Sequence, residues 1–169
     1  MKKPTLINLL QKESIIKYGA FTLRSGKKST YYCDIKQAVG NVKILRSIVS
    51  ELTLLVPKET TCIAGSGYGG IALAALVAQK RKLPLVLVRD RIKDHGTQQA
   101  IEAYVPNNKD RVCIVDDVFT TGSSVRDTKE KLSITQCKFV SAVVVLNRSK
   151  NSKVISLITD KEILQKNTL

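Results

Sequence analysis

The chain has 169 residues, the size of one domain around a single core. Its apolar share of 43% contains no run of about 18 uninterrupted apolar residues, which excludes a membrane-spanning helix. The net charge is +14, but the basic residues are scattered as KK, KRK and KEK and only 5% of residues are aromatic, so a nucleic-acid partner is not expected.

The segment MKKPTLINLLQKESII opens with two lysines, yet Asn8, Gln11, Lys12 and Glu13 interrupt its apolar residues and no small-residue cleavage site follows. A cytoplasmic location is expected. Leu6, Leu9, Leu10, Ile15 and Ile16 recur at helical spacing and predict a helix over 4–18. FTLRSGKKSTYYCDI (21–35) places β-type residues around a Ser-Gly turn and reads as a hairpin. Residues 41–55 read as a helix, TCIAG (61–65) as a buried strand, and 71–80 as an Ala/Leu-rich helix behind a glycine loop. PLVLVRD (84–90) is a strand, whereas residues 90–103 are polar and without a period. RVCIVDD (111–117) is a strand, 123–132 a helix, and 139–148 and 154–159 are strands.

Strand, loop and helix in repetition mean an α/β fold: a parallel central sheet flanked by helices, behind a small N-terminal hood. One domain is expected over 1–169, with helix and hairpin in about 1–40 and the core in 41–169. Ligands of such sheets bind beyond the carboxyl ends of the strands, so GSGYGG, DRIKDHG, DDVFTTGSS and LNRS form one neighbourhood. Cys33, Cys62, Cys113 and Cys137 are widely spaced and form no CxxC pair, so neither a disulfide framework nor a metal site is expected of them.

GSGYGG matches G-x-G-x-x-G through Gly65, Gly67 and Gly70, with Asp90 about 20 residues on. It reads as a dinucleotide loop, as a tight structural turn, or as a cradle for another diphosphate. In VDDVFTTGSS, Asp116 and Asp117 stand where the strand leaves the sheet and can accept hydrogen bonds from a sugar diol. Thr120, Thr121, Gly122, Ser123 and Ser124 then lead into a helix whose first N–H groups and dipole favour an anion. A diol grip beside a monophosphate cradle describes a ribose 5-phosphate. The plainer reading, a helix cap by Thr121 or Ser123, leaves the acid pair unexplained.

VCIVDDVFTTGSS resembles the phosphoribosyl pyrophosphate (PRPP) signature of type I phosphoribosyltransferases. FTLRSGKKSTYYCD, GSGYGGIALA and RDRIKDHGT resemble, in order and spacing over about residues 15–148, segments of the orotate phosphoribosyltransferase family. The resemblance implies transfer of ribose 5-phosphate from PRPP to orotate, with magnesium held mainly by PRPP and water. It implies that Asp116, Asp117 and residues 120–124 bind the ribose 5-phosphate, and that Ser66, Gly67, Tyr68, Gly69 and Gly70 bind the diphosphate. Arg89, Lys93 and His95 would face the departing diphosphate, with Lys93, His95 and Asp117 catalytic. Arg24, Tyr32, Cys33, Thr120 and Arg148 would bind orotate. A homodimer sharing a lid at 90–102 across subunits is implied as well. Asp90 departs from a usually basic position, Gly69 from a lysine found in some members, and Thr30 from a common proline. Those departures raise the alternative of a weakly active PRPP-binding regulator or a paralogue for another nucleobase.

Overall fold

The computed structural model describes residues 3–22, 26, 28–90, 99–149 and 154–166. The chain opens with helix α1 (Lys3–Lys12) and a hairpin, strands β1 (Ile16–Thr22) and β2 (Lys28–Cys33). The helix ends six residues earlier than its apolar spacing predicts. Ser14 adopts a left-handed φ of 56°, and the N–H groups of Ser14 and Ile15 reach back to the carbonyls of Gln11 and Leu10. That reverse turn closes the helix and sends Ile15 and Ile16, both buried, into the hairpin.

Helices α2 (Ile35–Val39) and α3 (Val42–Leu55) follow, the second capped by Asn41, whose side chain accepts from the N–H groups of Lys43 and Ile44. Then come β3 (Cys62–Ser66), α4 (Gly67–Arg81), β4 (Leu85–Val88), β5 (Ile101–Ala103), β6 (Arg111–Phe119), α5 (Ser123–Ser133), β7 (Lys138–Asn147), β8 (Ile155–Thr159) and α6 (Asp160–Lys166). The main sheet has the order β5-β4-β3-β6-β7-β8 and is parallel except for β5, which pairs antiparallel with β4. The expected parallel sheet is therefore present, with three elements the sequence reading lacks: α2, β5 and α6. Within β5 only Ile101 is buried, so a polar segment hides a three-residue edge strand.

Both faces of the sheet are covered, which is why its strands read as unbroken apolar runs. In β3, Ile63 faces the core shared with α1, α3, α4 and the hairpin, while Cys62 and Ala64 face α5 through Val125 and Leu132. All four cysteines are unpaired. Among the described residues no helix is long and apolar enough to cross a membrane.

Candidate active site

Strand β6 runs two residues past the acid pair that the sequence placed at its end, to Phe119. Asp116 is buried: its Oδ1 accepts the Asp117 N–H at 2.8 Å and its Oδ2 accepts the Ser124 hydroxyl at 3.0 Å. Burial, and then the neighbouring Asp117 charge, push its carboxyl up to about 7. Asp117 is more open and accepts the Val118 N–H at 2.7 Å.

The chain then turns through Gly122 into α5. Gly122 has φ +75°, and a β-carbon there would come 2.5 Å from the Phe119 ring, so only glycine serves. Gly122, at the N-cap of α5, has no side chain to cap the helix. Thr121 instead donates its hydroxyl to Ser123 at 3.2 Å, and Arg126 holds the Thr121 carbonyl at 2.8 Å. The plain helix-cap reading of these hydroxyls therefore fails. A recess of about 30 Å³ lies here among Asp116, Thr120, Gly122, Ser123 and Ser124.

Helix α4 begins at Gly67, four residues before the predicted start, so GSGYGG is the end of β3 and the first turn of a helix. Gly67 has φ +63°. Gly69 packs so closely on Asp117 that a β-carbon would overlap its carboxylate, and one on Gly70 would lie 3.0 Å from Asp116 Oδ1. The missing side chains let the acid pair lie directly against the α4 mouth. The two glycine-opened helices and the acids enclose one crevice of about 530 Å³. Among the described residues Asp90, Asp116, Asp117 and Asp127 line it, against a single lysine, Lys36 on α2.

At the end of β7 the Arg148 guanidinium stacks over the Tyr31 ring at 4.5 Å, donates to Ser29 Oγ at 3.1 Å and meets Asp160 at 3.4 Å. Tyr31 donates its hydroxyl to the same Asp160 oxygen. Burial, followed by that bond, raises the Tyr31 phenol far above its usual range. The hood is thus fastened to the strand end through Arg148. Cys33, its thiol raised to about 12 by burial, feels the charges of Arg148 and Asp117. Tyr32 is half-exposed and tilts against Phe21.

The structure brings together Ser66, Gly67, Tyr68, Gly69, Gly70, Asp116, Asp117, Ser123 and Ser124 on the crevice, with Thr120 and Gly122 in the adjoining recess. Tyr32, Cys33 and Arg148 lie toward the hood, outside the lining of that crevice. The Arg89 guanidinium turns to Glu102 on β5, and its N–H bonds to Ala100. Arg24, Lys93 and His95 lie outside the described residues, as does most of the 90–102 segment, whose last residues belong to β5. Sequence reasoning missed Lys36, Asp127 and Asp160. None sits in a motif, and only folding carries them to the site.

A phosphoribosyl transferase domain model matches residues 34–166. Orotate phosphoribosyltransferase from Methanocaldococcus jannaschii is 36% identical, over 96% of this chain and 97% of that protein. The Pyrococcus horikoshii enzyme of the same name is 39% identical, over 89% and 82%. The crystal structure of orotate phosphoribosyltransferase from Aeropyrum pernix superposes with a TM-score of 0.83 at 30% identity, covering 96% of this chain and 98% of that one. The dinucleotide reading of GSGYGG is thereby overturned. Hood, glycine loop and acid pair are spanned by these likenesses together, and the chain belongs to the orotate phosphoribosyltransferase family.

Proposed function

We propose that the crevice transfers the ribose 5-phosphate of PRPP to orotate, releasing pyrophosphate and orotidine 5′-monophosphate, a step of de novo pyrimidine (UMP) synthesis. The observation that carries this reading is the Asp116–Asp117 pair lying between two helix N-termini opened by glycine. Asp116 and Asp117 accept the vicinal ribose hydroxyls. The first amides of α5 and the hydroxyls of residues 120–124 hold the 5-phosphate, and the amides of 66–70 hold the diphosphate.

The bond from the anomeric carbon to the diphosphate oxygen breaks with its electron pair going to oxygen. A bond from an orotate ring nitrogen replaces it, and that nitrogen gives up its proton. Positive charge grows on the sugar, where Asp117 stabilises it, and negative charge grows on the leaving group, where Arg89, Lys93 and His95 act. Arg148 takes the orotate carboxylate, with Arg24, Tyr32, Cys33 and Thr120 completing the orotate site. Arg89 must leave Glu102 to take its part.

Magnesium fits this crevice, whose Asp116 and Asp117 oxygens are the hard donors it prefers. Among the described residues no three His, Cys, Asp or Glu are grouped to enclose an ion, so PRPP oxygens and water would complete its shell. When bound it supplies positive charge against the diphosphate. We take the active form to be a cytoplasmic homodimer in which the segment after Asp90 serves the neighbouring subunit. Mixing inactive Lys93→Ala and Asp117→Ala subunits then restores part of the activity, and no recovery contradicts the sharing.

The direct test follows orotate absorbance with PRPP and magnesium. Turnover abolished by Asp117→Ala is the expected result. PRPP binding without orotate consumption points instead to a regulator.

A further inference from the structure

Asp90 closes the mouth of α4. Its Oδ1 accepts the Ser66 hydroxyl at 2.5 Å, and its Oδ2 lies 3.3 Å from where a β-carbon on Gly67 would stand. Ser66 occupies the N-cap position of α4, yet its hydroxyl makes no capping bond and is given to Asp90. The backbone beneath Asp90 is fixed from two sides. From α5, Lys131 Nζ donates to the carbonyls of Arg89 at 2.8 Å and Asp90 at 3.0 Å, while pairing with Asp127 at 2.6 Å. From the sheet edge, the Arg89 N–H bonds to Ala100 at 2.9 Å and its guanidinium pairs with Glu102. A carboxylate is therefore held where the positive end of α4 favours an anion.

We propose that Asp90 is a built-in rival of the diphosphate group, occupying the α4 mouth and the Ser66 hydroxyl so that diphosphate binds only by displacing it. The inference rests on the reading of residues 66–70 as the diphosphate subsite. Its consequence is selective. Diphosphate enters beside Asp90 and must break the Ser66 bond, whereas at the start of α5 the Thr121 and Ser123 hydroxyls on either side of Gly122 bond each other and not a carboxylate. The residue sets affinity at one end of PRPP and not at the other.

Asp90→Asn keeps the size and the Ser66 acceptor but removes the charge. Calorimetric titration at fixed magnesium should show inorganic pyrophosphate binding about tenfold tighter to Asp90→Asn than to wild type, with ribose 5-phosphate unchanged. In kinetics the KM for PRPP should fall by a similar factor with the KM for orotate unchanged. Asp90→Ala, which lacks both charge and acceptor, should show the same selectivity. Pyrophosphate affinity that is unchanged or weaker in both variants overturns the proposal, the weaker result meaning that Asp90 itself ligates the magnesium–pyrophosphate complex. Equal tightening of pyrophosphate and ribose 5-phosphate also overturns it, because it signals a general charge effect. Failure of the orotate reading is distinguishable: wild type would then consume no orotate, whatever the pyrophosphate titrations give.

Discussion

Helices α4 and α5 enter the same crevice with the same device and differ in what stands before them. Each has a left-handed glycine at its start and no side-chain cap. Before α5 the Thr121 and Ser123 hydroxyls bond each other, and Asp116 accepts from Ser124 inside the first turn. In front of α4 stands Asp90. A helix N-terminus thus supplies only a potential, and the residues carried to it decide whether that potential is free for a ligand.

The largest break in this comparison should come at Gly122. In Gly122→Ala the β-carbon is strained by φ +75° and meets the Phe119 ring. Turnover with PRPP should fall by about 100-fold or more, and stability by about 1–3 kcal/mol. Steady-state kinetics beside a thermal melt would show both losses, and near-normal turnover would refute the α5 cradle.

Glycines 69 and 65 separate function from folding on the α4 side. A β-carbon on Gly69 overlaps the Asp117 carboxylate and lies 3.1 Å from its β-carbon, so Gly69→Ala should cost turnover about tenfold with a smaller loss of Tm than Gly65→Ala. A β-carbon on Gly65 comes 2.6 Å from Ala74 and 2.9 Å from the Gly70 carbonyl, so Gly65→Ala should lower stability by about 1–3 kcal/mol. Denaturant melts and kinetics on the two variants should give opposite patterns.

Asp116→Asn tests what the acid pair costs in stability. Because the folded carboxyl is raised from 3.8 to about 7, the folded chain holds a proton that the unfolded chain releases first. The wild type therefore loses stability as pH rises across that window, and the loss is complete above it. The variant should lose turnover yet melt about 5 °C higher than wild type at pH 8, with the gain shrinking toward pH 4. A gain independent of pH would contradict this account.

Tyr31→Phe should have the smallest effect. It removes the hydroxyl from Asp160 but keeps the ring under Arg148, costing about 1 kcal/mol. The KM for orotate should rise two- to three-fold if Arg148 reads the carboxylate, with the KM for PRPP unmoved; such kinetics compare the hood end of the site with the crevice.

What the sequence by itself determined is what lies close along the chain. The run from Val115 to Ser124 contains its own strand, acids, turn and helix start, so its chemistry is legible in ten consecutive letters. The alternation of strand and helix likewise announced a parallel sheet, since each unit is built from neighbouring residues. Where local signals competed the reading slipped: Ile15 and Ile16 fit a helix stripe, yet Ser14 turns them into the hairpin. Only the tertiary structure decided which distant groups meet. Asp90 reaches Ser66 across 24 residues, Lys131 reaches the carbonyl of Asp90 across 41, and Tyr31 reaches Asp160 across 129. Such pairs leave no periodicity or spacing in the sequence, because a hydrogen bond depends on distance in space and the sheet order that sets it is fixed by packing of the whole core.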